Sequence, residues 1–488
     1  NQNFTGNNEA YNVAVGFSTG NDITTGTLNT LVGALAGDAL TTGQQNVALG
    51  YGALSGDDVG SHSVAVGVNA LLSQNFASGT NSYNTAVGSG AGAAVTTGTF
   101  NTLIGGLAGD ALTTGAGNVA LGKTALSTED TGSASVAIGK EALRDQNVGT
   151  VNANNTAVGF ECGKVVTTGL QNTLIGGLAG HALTDADFNV AIGYTALSTD
   201  TLGSRSTAIG YAALNAQSNS SAADSNNTAV GYIAGAAITS GYENTFVGAE
   251  AGDGTDDGQG CVAVGFQALS ANCGNNNTAI GKKAGRQITG TNNTCVGFEA
   301  GETLVSATNC LILGTGCEPS GNNADVQLVL GVDATGTGNG NFTIGNGATD
   351  SNITLGATVI TAPSDERMKE EIETSTAGLS FIKDLRPVTY KWKKEKDIPE
   401  TMDAYVKDSD KRYMNETTNH GFIAQEVKAA IENHSEIKNG FDMWMERDSD
   451  GQQRVAPSAL VPILTKAIQE QQALIESLTA RITTLEGG

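Results

Sequence analysis

The stretch Ser364-Asp-Glu-Arg-Met-Lys369 carries the residue types of a nucleophile and a base close together in the chain. A serine hydroxyl is a weak nucleophile until a base takes its proton, and a lysine serves once burial or positive neighbours make it neutral. In an extended chain the two side chains stand roughly 16 Å apart. A turn or helix must therefore fold the lysine back, or a second chain must supply it. From the residues alone, Ser364 and Asp365 ahead of Glu370 and Glu371 read as a helix N-cap with acids near the positive end of the dipole. Lys369 is then a solvated helix lysine.

The elements around this stretch differ sharply on its two sides. Residues 1–363 hold 8 Lys+Arg against 26 Asp+Glu and 60 of the 66 glycines, whereas residues 364–488 hold 17 against 23 and both tryptophans. In the first part a pentad recurs: Asn12-Val-Ala-Val-Gly16, Asn29-Thr-Leu-Val-Gly33, Asn46-Val-Ala-Leu-Gly50 and Ser63-Val-Ala-Val-Gly67, each 17 residues after the last. The series resumes at Asn84, Asn155 and Asn227, so a super-repeat of 71 or 72 residues overlies it. From Cys261 the step reads as 16, through Asn277, Asn293 and Asn309.

Such a period suits one coil of a parallel β-solenoid or β-roll, with the pentad as strand, its glycine at the corner and its asparagine in a ladder along the axis. Thr41-Thr42-Gly43 and its equivalents predict a second short strand. About 18 coils would make a rod on the order of 90 Å long. Residues 1–315 are read as this stalk, 316–363 as a β neck that loses the register (Val326–Leu330, Asn341–Gly345, Asn352–Gly356, Thr358–Thr361) and ends at Pro363. A thin core of small residues predicts association of three rolls through their apolar strand faces.

The repeat itself offers little chemistry. Aspartates are scattered rather than fixed in each coil, against a calcium-binding roll. Thr-Thr-Gly is strong in only two coils of every four, against a flat ice-binding face, and no carboxylate pair recurs, against glycan hydrolysis. The six cysteines (Cys162, Cys261, Cys273, Cys295, Cys310, Cys317) hold no Cys-x-x-Cys. Cys295 and Cys310 lie two places and one place past an asparagine, an offset that predicts opposite strand faces. Buried free thiols are expected, with no metal site and no cofactor. A net charge of −24 without basic clusters argues against nucleic acid, and no apolar run is long enough to enter a membrane. The chain begins at Asn1 without a signal peptide and reads as a fragment or processed piece.

The pattern Asn-Thr-Ala-Val-Gly-x-x-Ala-Gly over residues 8–315 resembles the head repeats of trimeric autotransporter adhesins, which implies a trimeric left-handed roll; similar repeats occur in phage tail fibres. Ser364-Asp-Glu-Arg-Met-Lys369, Leu385-Arg-Pro-Val-Thr-Tyr-Lys-Trp392, His420-Gly-Phe-Ile-Ala-Gln-Glu-Val427 and a long terminal helix resemble, in that order, the endosialidase-type intramolecular chaperone auto-processing domain. The resemblance implies a trimerising chaperone over 364–456, followed by a coiled-coil helix over 457–488. It implies self-removal by cleavage at Ser364-Asp365 with a Ser364–Lys369 dyad, and Asp365 and His420 are secondary candidates to position or polarise the bond. The seam Val461, Leu464, Ile468, Gln471, Ile475, Leu478, Ile482 and Leu485 independently supports oligomerisation.

The expected function is a virion tail fibre or spike stalk, extracellular after assembly, whose chaperone is released in the host cytoplasm. The alternative is a cell-surface trimeric adhesin, or another cellular trimeric protein, using the same self-cleaving chaperone. Expected partners are two further copies, a host-surface glycan or protein receptor, and other tail proteins through a missing N-terminal region. The loops Asn75–Tyr83, Gln146–Ala153 and Gln217–Ser225 are the first candidates for receptor contact.

Overall fold

The computed structural model describes residues 9–219, 221–347, 350–356, 364–438, 441–447 and 450–487. The chain divides into two compact units, Asn1–Pro363 and Ser364–Gly488.

The first unit is a parallel β-solenoid. Each pentad supplies a three-residue strand, beginning with Val13–Val15, Thr30–Val32 and Val47–Leu49, paired in register with the next coil. The central residue of the strand points inward: Leu31, Ala48, Ala65, Ala86 and Leu103 are wholly buried, and their neighbours lie on the outer face, half-buried as at Val47 and Leu49 or exposed as at Val32. The closing glycine is obligatory on two counts. Gly33 has φ +133°, and a Cβ there would sit 2.5 Å from the Gly50 carbonyl oxygen of the next coil.

The asparagine ladder lies inside the core and bonds chiefly to backbone, with side-chain contacts added at some coils, such as Asn84 Nδ2 to Gln74 Oε1 at 2.9 Å and Asn293 Nδ2 to Asn277 Oδ1 at 3.1 Å. Asn29 Nδ2 donates to Gly43 O at 2.9 Å, and its Oδ1 accepts from the Asn46 N–H at 3.0 Å. Each asparagine thus satisfies one donor and one acceptor that the coil stack would otherwise bury unpaired. Thr-Thr-Gly forms no strand: it is a bend, tied to the next coil by bonds such as Thr41 N–H to Asp58 O at 2.7 Å and Thr41 Oγ1 to the same oxygen at 3.0 Å.

Two expectations about the later coils are corrected. The ladder runs from Asn293 to Cys310, not to Asn309, because the Cys310 N–H donates to Asn293 Oδ1 at 3.0 Å; that step is 17 residues. Cys295, central in its strand, and Cys310, in the ladder position, are therefore both inward and buried rather than on opposite faces. Beyond residue 315 the stack keeps one further step of 17, from Leu311 to Leu328, before the step shortens to 14, from Leu328 to Phe342. Leu311–Leu313, Leu328–Val332 and Asn341–Asn346 continue the parallel stack, with Gln327 at the asparagine's position and its backbone carbonyl accepting the Leu311 N–H at 2.8 Å. Among the described residues the sheet has 21 strands, twenty of them parallel and the last, Ser351–Thr354, antiparallel. The predicted strand Thr358–Thr361 and Pro363 lie outside the described residues.

The second unit is small and mixed. Helices α1 (Leu379–Asp384), α2 (Ala424–Asn433) and α3 (Leu460–Glu486) surround a core of Phe381, Val427, Ile431, Met443, Leu460 and Ile463. Two antiparallel ladders complete it, Val388–Tyr390 with Asn419–Gly421 and Trp444–Glu446 with Gln453–Val455. Pro457 and Pro462 fall at the helix start, where a missing N–H costs nothing. Beyond Ala467 the helix buries no residue, and its seam from Ile468 to Leu485 is exposed.

Candidate active site

Ser364 is the first residue of the second unit. The chain turns immediately after it, in a 3-10 helix at Glu366–Met368. Asp365, not Ser364, is the N-cap: its carboxylate accepts from the Arg367 N–H at 2.9 Å and is gripped by the same residue's guanidinium, Nη2 to Oδ2 at 2.6 Å. The Arg367 guanidinium holds the Asp365 carboxyl below the usual carboxylate range. The turn closes with Lys369 N–H donating to Glu366 O at 3.0 Å.

That single turn removes the extended-chain separation. Lys369 Nζ donates to Ser364 Oγ at 2.7 Å. The same contact, with the amine neutral, would let Nζ accept the hydroxyl proton, which is the geometry a nucleophile and its base require. Glu370 and Glu371 lie outside the turn, so the expected α-helix start is replaced by a shorter, tighter device. Residues 364–376 are all exposed in the single chain.

His420 is elsewhere. It sits in the ladder strand Asn419–Gly421 opposite Thr389, exposed, and among the described residues no hydrogen bond links it to the Ser364 turn. The structure therefore brings together Ser364, Asp365 and Lys369 but not His420. Arg367, which sequence reasoning passed over, joins them as the partner of Asp365; its signal was its place within the Ser-Asp-Glu-Arg-Met-Lys motif.

Residues 364–436 match the family model described as Chaperone of endosialidase. No curated protein matches the chain. The C-terminal part thus carries an endosialidase-chaperone domain, and the chain ahead of it is a β-solenoid.

Proposed function

We propose that this chain is a fibre or spike stalk of a virion, built as a homotrimer, whose C-terminal unit aligns the three solenoids and then leaves by cleavage of the Ser364–Asp365 bond. The observation that carries the reading is the 2.7 Å contact of Lys369 Nζ with Ser364 Oγ at the first residue of the chaperone unit. Two unpartnered apolar surfaces support assembly: the outer strand row, including Val15, Leu121, Ile175 and Ile280, and the α3 seam. Three repetitive chains can pair in many registers, and non-local β pairing is slow. A separately folding domain at one end fixes the register once, and its removal leaves a rod held by a kinetic barrier.

Assembly also makes the chemistry conditional. A lysine loses its proton near neutral pH only when desolvated or crowded by cations, and in the single chain this segment is open to water. Attack by Ser364 Oγ on its own carbonyl would close a strained four-membered ring, so in this reading the attacking hydroxyl belongs to another chain of the trimer. The three insertion loops are the proposed receptor contacts.

The test is the intact mass of wild type beside Ser364→Ala and Lys369→Ala. The reading expects wild type to yield fragments ending at Ser364 and beginning at Asp365, with both variants uncut. A whole wild type that is nevertheless a folded trimer would make the second unit a permanent cap.

A further inference from the structure

The asparagine ladder is interrupted in a patterned way. Ser63, Ser135 and Ser206 follow Asn46, Asn118 and Asn189 in the ladder, and Cys261 follows Asn244; each donates its backbone N–H to the preceding asparagine Oδ1, at 2.9, 3.0, 2.9 and 2.8 Å. At each serine a buried carboxylate six residues earlier and a buried glutamine eleven residues later complete a corner. Gln74 Nε2 donates to Asp57 Oδ2 at 2.6 Å and Ser63 Oγ at 2.7 Å; Gln146 Nε2 donates to Glu129 Oε2 at 3.0 Å and Ser135 Oγ at 2.8 Å. Gln217 Nε2 repeats the arrangement with Asp200 and Ser206.

The fourth corner has the same plan in different chemistry. Thr255 stands six residues before Cys261, in the carboxylate's place, and Cys273 stands twelve after it, in the glutamine's. Cys273 Sγ lies 3.2 Å from Thr255 Oγ1 and 3.7 Å from Cys261 Sγ. Both cysteines are buried, at 1% exposure or less.

We propose that Cys261 and Cys273 are an oxidisable pair, closed into an intrachain disulfide by a low-molecular-weight disulfide while this coil is open, and that the bond replaces the carboxylate–amide clamp of the other three corners. Cys261 thiolate attacks one sulfur of the small disulfide and expels one thiolate, leaving a mixed disulfide. Cys273, having given its proton to water, attacks the Cys261 sulfur and expels the second thiolate. Two protein thiols are oxidised, and one small disulfide is reduced to two thiols. In the closed coil the Cys273 hydrogen is directed at Cys261, which holds the Cys261 thiol below the ordinary range and pushes the Cys273 thiol up. The sulfurs need only close from 3.7 Å to about 2.0 Å. Cys261 Sγ also lies 3.2 Å from the Gly274 carbonyl oxygen, and Cys310 Sγ lies 3.4 Å from that of Thr308; what sets Cys261 apart is the second sulfur beside it.

The experiment is oxidation of the full chain by oxidised glutathione during refolding, and separately in denaturant, followed by alkylation of remaining thiols and peptide mass mapping. The expected result is a Cys261–Cys273 cross-linked peptide about 2 Da below its reduced mass, enriched severalfold over the denatured sample, with Cys162, Cys295, Cys310 and Cys317 alkylated. In Cys261→Ser, which installs the residue of the other three corners, every remaining thiol should be alkylated while the circular dichroism stays that of wild type. The proposal is overturned if refolded wild type keeps all six thiols free, or if folding does not raise the share of this pair over Cys310–Cys317, the closest pair in sequence.

Discussion

Replacing one ladder asparagine tests whether the solenoid is held from inside by these side chains. Asn101 is wholly buried, donates through Nδ2 to Gly115 O at 2.9 Å and accepts from the Asn118 N–H at 2.9 Å. Asn101→Ala leaves a carbonyl and an N–H buried without partners, each costing about 1–3 kcal/mol, so the expected loss is about 2–6 kcal/mol. Asn101→Asp keeps the acceptor but loses the donor and buries a charge facing the Gly115 oxygen, so it should be at least as damaging. Asn75→Ala, at an exposed loop residue, is the comparison and should change stability by less than about 0.5 kcal/mol. Urea unfolding followed by far-ultraviolet circular dichroism measures all three. Equal midpoints for Asn101→Ala and Asn75→Ala would refute the argument that the ladder stabilises the coils.

Three further outcomes are expected. Gly105→Ala forces a Cβ to within 2.5 Å of the Gly122 oxygen at φ +136°, so soluble folded yield should fall severely; near-normal yield and thermal midpoint would contradict the close-approach argument. His434 is bonded to Asp384 Oδ2 at 2.9 Å and Glu436 Oε1 at 3.0 Å, and its pKa is raised, first by Asp384. Its contribution is thus complete below the unfolded value near 6.5 and lost as pH rises through the higher folded value. Both tryptophans lie in the second unit, so a tryptophan-fluorescence melt should fall in midpoint from pH 6 to pH 8.5, and His434→Gln should flatten that slope; an unchanged slope would exclude His434 as its source. Lys369→Arg keeps the positive charge but cannot become neutral, so cleavage should stop while the oligomer, read by light scattering, persists; a cut Lys369→Arg chain would remove the lysine from the mechanism.

The coil period, the strand positions and the corner glycines were legible because each is a repeated residue type at a fixed interval. What the repeats could not convey was where a polar side chain spends its hydrogen bonds. The asparagines turned out to bond the next coil's backbone through both amide donor and carbonyl acceptor, and Thr-Thr-Gly proved to be a bend whose hydroxyls reach the next coil's carbonyls. Asn309-Cys310 misled because an asparagine stood one place before the true ladder position, whose occupant was a cysteine. The step of 17 at Gln327 was hidden for a similar reason, glutamine having replaced asparagine. At Ser364 the residue types were readable, but the distance depended on a 3-10 turn fixed by Asp365 and Arg367, a local geometry that spacing alone leaves open.

The central claim is that residues 364–488 act as the chaperone for the solenoid ahead of them. Its most direct test is the oligomeric state and SDS resistance of residues 1–364 produced by cleavage of the full chain, against the same residues expressed alone. The account predicts an SDS-resistant trimer from the full chain and monomers or aggregates from the isolated segment. The same trimer in equal yield from residues 1–364 alone would contradict it.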